Sequence, residues 1–178
     1  RTIEDLLAEE DGAQPEATEA TGSVTPTVDA KISVGSKTGL PIPRFVSLKR
    51  NEVNVRKGPG KDYGIAWIFK RAGLPVEVTA EFDNWRRIRD AEGSEGWVMH
   101  SLLSGERTAI VAPWSKDAAT ALYRSAGDQS PVVARLEAGV LAEVHECTGD
   151  WCRVDGDGFA GWIRQSAIWG AYPGERFD

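Results

Sequence analysis

Two cysteines and two histidines are the residues of this chain best equipped for covalent, redox or metal chemistry, so their spacing matters first. Cys147 and Cys152 sit five apart across Thr148-Gly149-Asp150, a spacing that in a tight hairpin sets them face to face on adjacent strands, where a disulfide is feasible. So small a loop would contribute only about 2 kcal/mol through chain entropy. Reduced structural thiols, or metal or redox chemistry, are the other readings of the pair. His145 shares a strand face with Cys147, which makes His145, Cys147 and Cys152 a conceivable three-ligand site. No fourth ligand is evident and the spacing fits no standard zinc pattern, so neither a metal nor a cofactor is expected. With only His100 and His145 available, and no Ser or Cys in an elbow or helix-start context, a hydrolytic triad is not expected either. Gly35-Ser36-Lys37-Thr38 imitates the end of a phosphate-binding loop but lacks the earlier glycine.

What remains is aromatic. Tyr63, Trp67 and Trp85 lie near the Gly58-Pro59-Gly60 loop, with Asn54 and Arg56 on the segment entering it. Strand side chains alternate between faces, so Trp85 takes the face opposite Arg86 and Ile88; with Ile88 pointing to the core, Trp85 is set outside it, as is Trp151. These five residues are the expected ligand site: a groove where an extended peptide or a sugar could stack. The competing expectation is that such rings pack the two halves of the chain against each other. Trp97, directly after Gly96, is expected in the core.

The elements that must position these groups are strands. From Pro43 onward, short alternating runs rich in Val, Ile and Trp are punctuated by turns, and Val53 to Arg56, Pro75 to Glu81, Trp85 to Arg89 and Gly96 to Met99 read as four of them. The pattern then returns. Trp85-Arg86-Arg87-Ile88 reappears as Trp151-Cys152-Arg153-Val154, Gly96-Trp97-Val98 as Gly161-Trp162-Ile163, and Ala72-Gly73 as Ala138-Gly139, in the same order and 65 or 66 residues later. Arg56 aligns with Arg124 at an offset of 68, implying shorter early loops in the second copy. In this alignment Glu81 and Arg86 stand where the second copy has Cys147 and Cys152, and would form a cross-strand ion pair. The short connection from Leu103 to Trp114 predicts two docked modules.

Composition narrows the class. The net charge of −6 and pI near 5.1 disfavour a nucleic-acid partner, and no apolar stretch approaches the roughly 18 residues of a membrane span. Residues 1 to 43 hold 3 basic and 8 acidic residues. Residues 12 to 40 have no aromatic side chain, so residues 1–42 read as a disordered acidic linker. Thr2 and Asp5 have capping-box spacing and Ile3, Leu6 and Leu7 share a face, which predicts a short helix at its start. A chain beginning at Arg1 with a flexible acidic leader suits the layout after a removed signal peptide.

Aligned this way, the unit resembles the bacterial SH3-like domain. The first copy carries Asn54-Val55-Arg56-Lys57-Gly58-Pro59-Gly60, similar to the start of that family, then Ala72-Gly73, Asn84-Trp85-Arg86-Arg87-Ile88, Glu95-Gly96-Trp97-Val98 and Ser101-Leu102-Leu103. Residues 44 to 114 further resemble periplasmic SH3-like proteins of alphaproteobacteria. The second copy departs from the motif in its loop, Ala121-Leu122-Tyr123-Arg124-Ser125-Ala126-Gly127. The resemblance implies a mainly β chain of two tandem SH3-like barrels: a linker at 1–42, domains at 43–104 and 105–171, and a tail at 172–178. It also implies a non-catalytic binding or scaffolding protein of the periplasm or cell exterior, whose partners are cell-wall peptide, peptidoglycan or envelope proteins. An accessory subunit of a wall hydrolase and a purely structural interaction module are the alternatives. Binding, on this reading, belongs mainly to the first copy.

Overall fold

The computed structural model describes residues 33–178. The helix expected near Thr2 and Asp5, and most of the acidic segment, lie outside the described residues. The chain opens with a hairpin, β1 (Ser33–Val34) and β2 (Pro41–Ile42). The first copy follows as β3 (Arg44–Leu48), β4 (Val53–Arg56), β5 (Ile65–Phe69), β6 (Pro75–Phe82), β7 (Trp85–Arg89), β8 (Glu95–Met99) and β9 (Leu103–Ser104). The second contains β10 (Thr108–Val111), β11 (Thr120–Tyr123), β12 (Val132–Leu136), β13 (Leu141–Thr148), β14 (Trp151–Gly156), β15 (Phe159–Arg164) and β16 (Ile168–Trp169), and the described chain closes with β17 (Arg176–Phe177). Single 3₁₀ turns, His100–Leu102 and Gln165–Ala167, join the last strands of each copy. Among the described residues no helix is long and apolar enough to cross a membrane.

Both copies curl a sheet of the same topology. The first runs β5-β4-β8-β7-β6-β3-β9, and the second β12-β11-β15-β14-β13-β10-β16, the same order element for element. Alternation explains how each fills: Val53 and Val55, Val76 and Val78, Ile88 and Val98 turn inward in the first copy, and Leu122, Val144, Val154 and Ile163 in the second. Gly96 and Gly161 allow the sheets to curl tightly. A Cβ on Gly96 would stand 2.3 Å from the Val55 side chain, and one on Gly161 2.6 Å from the Tyr123 carbonyl oxygen.

Alternation also corrects one expectation. Gly96 and Val98 face inward, so Trp97 between them faces outward and is only half-buried, opposite Arg56 on one neighbouring strand and Arg87 on the other. The core position is that of Val98.

Residues 33–42 depart from the linker reading. Residues 33–42 form a hairpin that folds over the first copy and encloses the Glu81 side chain, which is fully buried. The amide N–H and hydroxyl of Thr38 donate to its carboxylate at 3.1 Å and 2.9–3.0 Å, and Arg86 and Arg44 pair with it at 3.1 Å and 3.3 Å. Gly35 is required here, because a Cβ would fall 1.6 Å from Glu81 Oε1. Polar side chains gripping one carboxylate, and not apolar burial, hold the segment, which is why a composition without aromatics misread it.

The copies meet through a different set of rings from those expected. Phe45 packs edge-on against Trp169 at 5.0 Å and at a tilt of 34° against Tyr172 at 4.6 Å, while Tyr172 donates its O–H to Glu77 at 2.7 Å. Thr108 donates to the Gly73 carbonyl. Residues 172–178 are thus more than a tail: they supply Tyr172 to this junction, Glu175 to an ion pair with Arg107 at 2.8 Å, and β17 to pair with β13. Burial pushes the Tyr172 hydroxyl well above its usual range, and the hydrogen bond to Glu77 adds to the effect. Burial opposes ionisation of Glu175 too, but the Arg107 guanidinium and the Tyr172 amide outweigh it and hold that carboxyl below its usual range.

Candidate ligand-binding groove

On the outer face of the first copy, β4 contributes Asn54 and Arg56, β7 contributes Trp85, and β8 contributes Met99. With Lys61 from the β4–β5 loop and Leu102 from the 3₁₀ turn they line a cavity of about 190 Å³. Three of the five residues expected at a ligand site therefore come together: Asn54, Arg56 and Trp85. Arg56 also braces the loop, donating from Nη1 to the carbonyls of Tyr63 at 2.9 Å and Lys61 at 3.2 Å.

Tyr63 and Trp67 are placed otherwise. Tyr63 is half-exposed on the loop, its ring lying over Gly58, where a Cβ would come within 2.4 Å of it. Gly58 is thus needed for the space beneath Tyr63 and not for positive φ, whereas a Cβ on Gly60 would lie 3.4 Å from the ring, an ordinary contact. Trp67 pairs with the inward-facing Val55 and packs against the first core, edge-on to Phe69 at 5.7 Å. Its ring is core packing, and among the described residues its buried Nε1–H has no hydrogen-bond partner. Lys61, Met99 and Leu102 escaped the sequence reading. Met99 was within reach of it, since it lies two residues from Trp97 and shares its face.

The second copy shows what the same face looks like when filled. The loops between β4 and β5 and between β11 and β12 have eight residues each, and the shortening falls in the next loop, five residues between β5 and β6 against four between β12 and β13. Pairing sets Tyr123, not Arg124, at the place of Arg56, because Arg56 faces Trp97 and Tyr123 faces Trp162. Counting on, Asp128 replaces Lys61; on the facing strand Arg164 replaces Met99, since Trp151 pairs with Arg164 as Trp85 does with Met99. Arg164 lies over the Trp151 ring at 4.8 Å and is ion-paired to Asp128, while Tyr123 meets the same ring edge-on at 5.4 Å. Trp151 is covered by its own chain. In the first copy the equivalent tryptophan looks onto a thioether, a lysine and a gap.

Cys147 and Cys152 are direct cross-strand partners on β13 and β14, with Cα atoms 4.1 Å apart, and their sulfurs are bonded. That bond removes both from any metal site with His145. Glu81 and Arg86 hold the identical register on β6 and β7. Burial alone would raise the Glu81 carboxyl; hydrogen bonds from Thr38 and Lys37, with the Arg86 charge, outweigh it and hold the group below its usual range.

Comparison with known proteins agrees with the duplication. YrvJ of Bacillus subtilis (strain 168), a provisionally assigned N-acetylmuramoyl-L-alanine amidase, is 28% identical over 125 residues, covering 66% of this chain. The chain spans only 24% of that protein's length. Among solved structures, NlpC2 from Trichomonas vaginalis is 12% identical with a TM-score of 0.32, over 71% of this chain and 48% of that one. An NlpC/P60 family protein from Bacillus cereus ATCC 10987 is 10% identical with a TM-score of 0.32, over 70% and 55%. Overall superpositions this loose carry no argument about arrangement or activity. The bacterial SH3 domain model, by contrast, matches twice, at residues 49–105 and 116–170, one match on each curled sheet, and the chain belongs to the bacterial SH3 domain family as a tandem pair.

Proposed function

We propose that the chain is a non-catalytic binding module of the bacterial cell envelope, which takes a peptidoglycan-type ligand or an extended peptide along the Trp85 groove of its first copy. The observation that carries this is the contrast between the copies: Trp151 is capped by Arg164, Asp128 and Tyr123, whereas Trp85 borders an open cavity with Asn54, Arg56 and Lys61 around it. An aromatic floor with a few polar groups at its rim suits a ligand that stacks and is then oriented by hydrogen bonds. Family membership and the match to a protein named as a wall amidase support the ligand class. The bonded cysteines support an oxidising compartment, the periplasm or the cell exterior.

The test is co-sedimentation of the full chain with purified peptidoglycan. Trp85→Ala should weaken binding by about 2 kcal/mol or more, the scale of an aromatic anchor, with unchanged thermal unfolding. Equal retention of wild type and variant on the wall, or a variant that unfolds before it loses binding, would overturn the groove reading. The resemblance to an amidase supports a second reading, in which the chain directs a separate wall hydrolase. It predicts that the chain raises the rate of such an enzyme on insoluble wall and leaves the rate on soluble fragments unchanged.

A further inference from the structure

On β13 and β14, Glu143 stands directly opposite Asp155. The same register of the first copy sets Glu77 opposite Arg89, an ion pair. The second copy has thus replaced an attractive cross-strand pair with two facing carboxylates, an arrangement that costs stability unless a cation lies between them. Among the described residues Glu143 makes no ion pair and no side-chain hydrogen bond, and the one partner of Asp155 is His145, whose Nε2 lies 2.5 Å from Oδ1. The irregularity in β13 falls at His145, which lies between the paired residues Val144 and Glu146 and has no partner of its own across the strands. The first copy has Thr79 at that place. One ligand atom from each of Glu143, His145 and Asp155 lies within 4.8 Å of the others.

We propose that Glu143, His145 and Asp155 form a binding site for a divalent transition-metal ion of the Zn²⁺ type. One imidazole nitrogen and two carboxylate oxygens are a borderline donor set, which favours zinc over the hard cations Mg²⁺ and Ca²⁺. Tetrahedral bonds of about 2.0–2.1 Å place donor atoms about 3.3 Å apart, so His145 and Asp155 need to separate by less than about one ångström while Glu143 swings in. All three side chains are free to do so, since His145 and Asp155 are 39% and 46% exposed and Glu143 is at the surface. Water completes the shell. Glu143 and Asp155 border the cleft of about 640 Å³ between the two copies, so the open coordination position faces that cleft and not the Trp85 groove. The ligands come from adjacent strands whose register is fixed by Val144 and Val154 beneath them, both buried in the core.

The experiment is calorimetric titration of the full, untagged chain with Zn²⁺ in a non-coordinating buffer, with thermal unfolding at each metal concentration. One ion per chain should bind saturably and raise the unfolding temperature. His145→Ala and Asp155→Asn should lose both effects while keeping the wild-type circular dichroism, and His100→Ala, which removes the other histidine, should keep both. No saturable binding by the wild type, or binding by His145→Ala equal to wild type, overturns the proposal. So does Ca²⁺ binding as strongly as Zn²⁺, since that is diffuse attraction to surface carboxylates.

Discussion

At one register the two copies solve the same problem differently. Between the long hairpin strands, the first copy buries Glu81 against Arg86, and the second bonds Cys147 to Cys152. The covalent link satisfies itself and asks nothing of its surroundings. The ionic one leaves carboxylate oxygens and guanidinium hydrogens that need further partners, and the molecule supplies them: Arg44, the Thr38 amide and hydroxyl, the Lys37 amide, and the carbonyls of Asp83 and Trp85 for Arg86. That demand explains why a hairpin covers the first copy at this point, where among the described residues the second receives only β17 alongside Cys147. A buried charge recruits structure; a disulfide does not.

The largest effect that would break this comparison is Glu81→Ala. It strands Arg86 in a buried site and releases the hairpin, so the first copy should lose about 3–5 kcal/mol in urea unfolding. A loss below about 1 kcal/mol, the scale of an exposed pair, would show that the network is solvated in solution. Next comes the groove. The double substitution Lys61→Asp with Met99→Arg installs the second copy's plug over Trp85 and should reduce wall binding by about as much as Trp85→Ala, about 2 kcal/mol or more, without lowering the unfolding temperature. Undiminished binding would mean that the plug does not set the difference between the faces. Replacing both cysteines by alanine should cost the second copy about 2 kcal/mol, and reductant should reproduce it in the wild type but not in the variant.

The smallest effect is on pH. Glu81 and Glu175 are held below the ordinary carboxyl value of 4.5, so their stabilisation is complete above that value and is lost as pH falls through it toward the depressed folded value. Between about pH 5 and about pH 3 the unfolding temperature of wild type should therefore fall more steeply than that of Glu81→Gln, which starts lower at neutral pH. Parallel curves would show that Glu81 titrates as an exposed carboxyl. The cysteine pair has no titration to contribute.

Much of the fold was legible because period-two burial and duplication are both properties of chain order. Val53–Arg56 and Trp85–Arg89 follow from alternation and the turn residues between strands, and the offset of 66 in the sequence pairs Glu81 and Arg86 with the cysteines. The site was less legible. Trp67 and Trp97 exchanged roles, because inward and outward faces in β5 and β8 depend on pairing with Val55 and Arg56, a long-range fact that residue type does not carry. Residues 33–42 were hidden for a related reason: their partner is one carboxylate more than 40 positions away.

The hydroxyl of Tyr172 reaches Glu77 across 95 positions of chain. Translation at about 5–20 residues per second leaves an interval of about 3–14 s between completion of the first barrel at Ser104 and synthesis of Tyr172. During that time Phe45, whose ring ends between Trp169 and Tyr172, faces water on a nascent chain. The first barrel, a unit small enough to be marginal by itself, must then persist on its own core and on the clasp at Glu81. That clasp is made by residues synthesised earlier still, so it can close on Glu81 before Tyr172 exists.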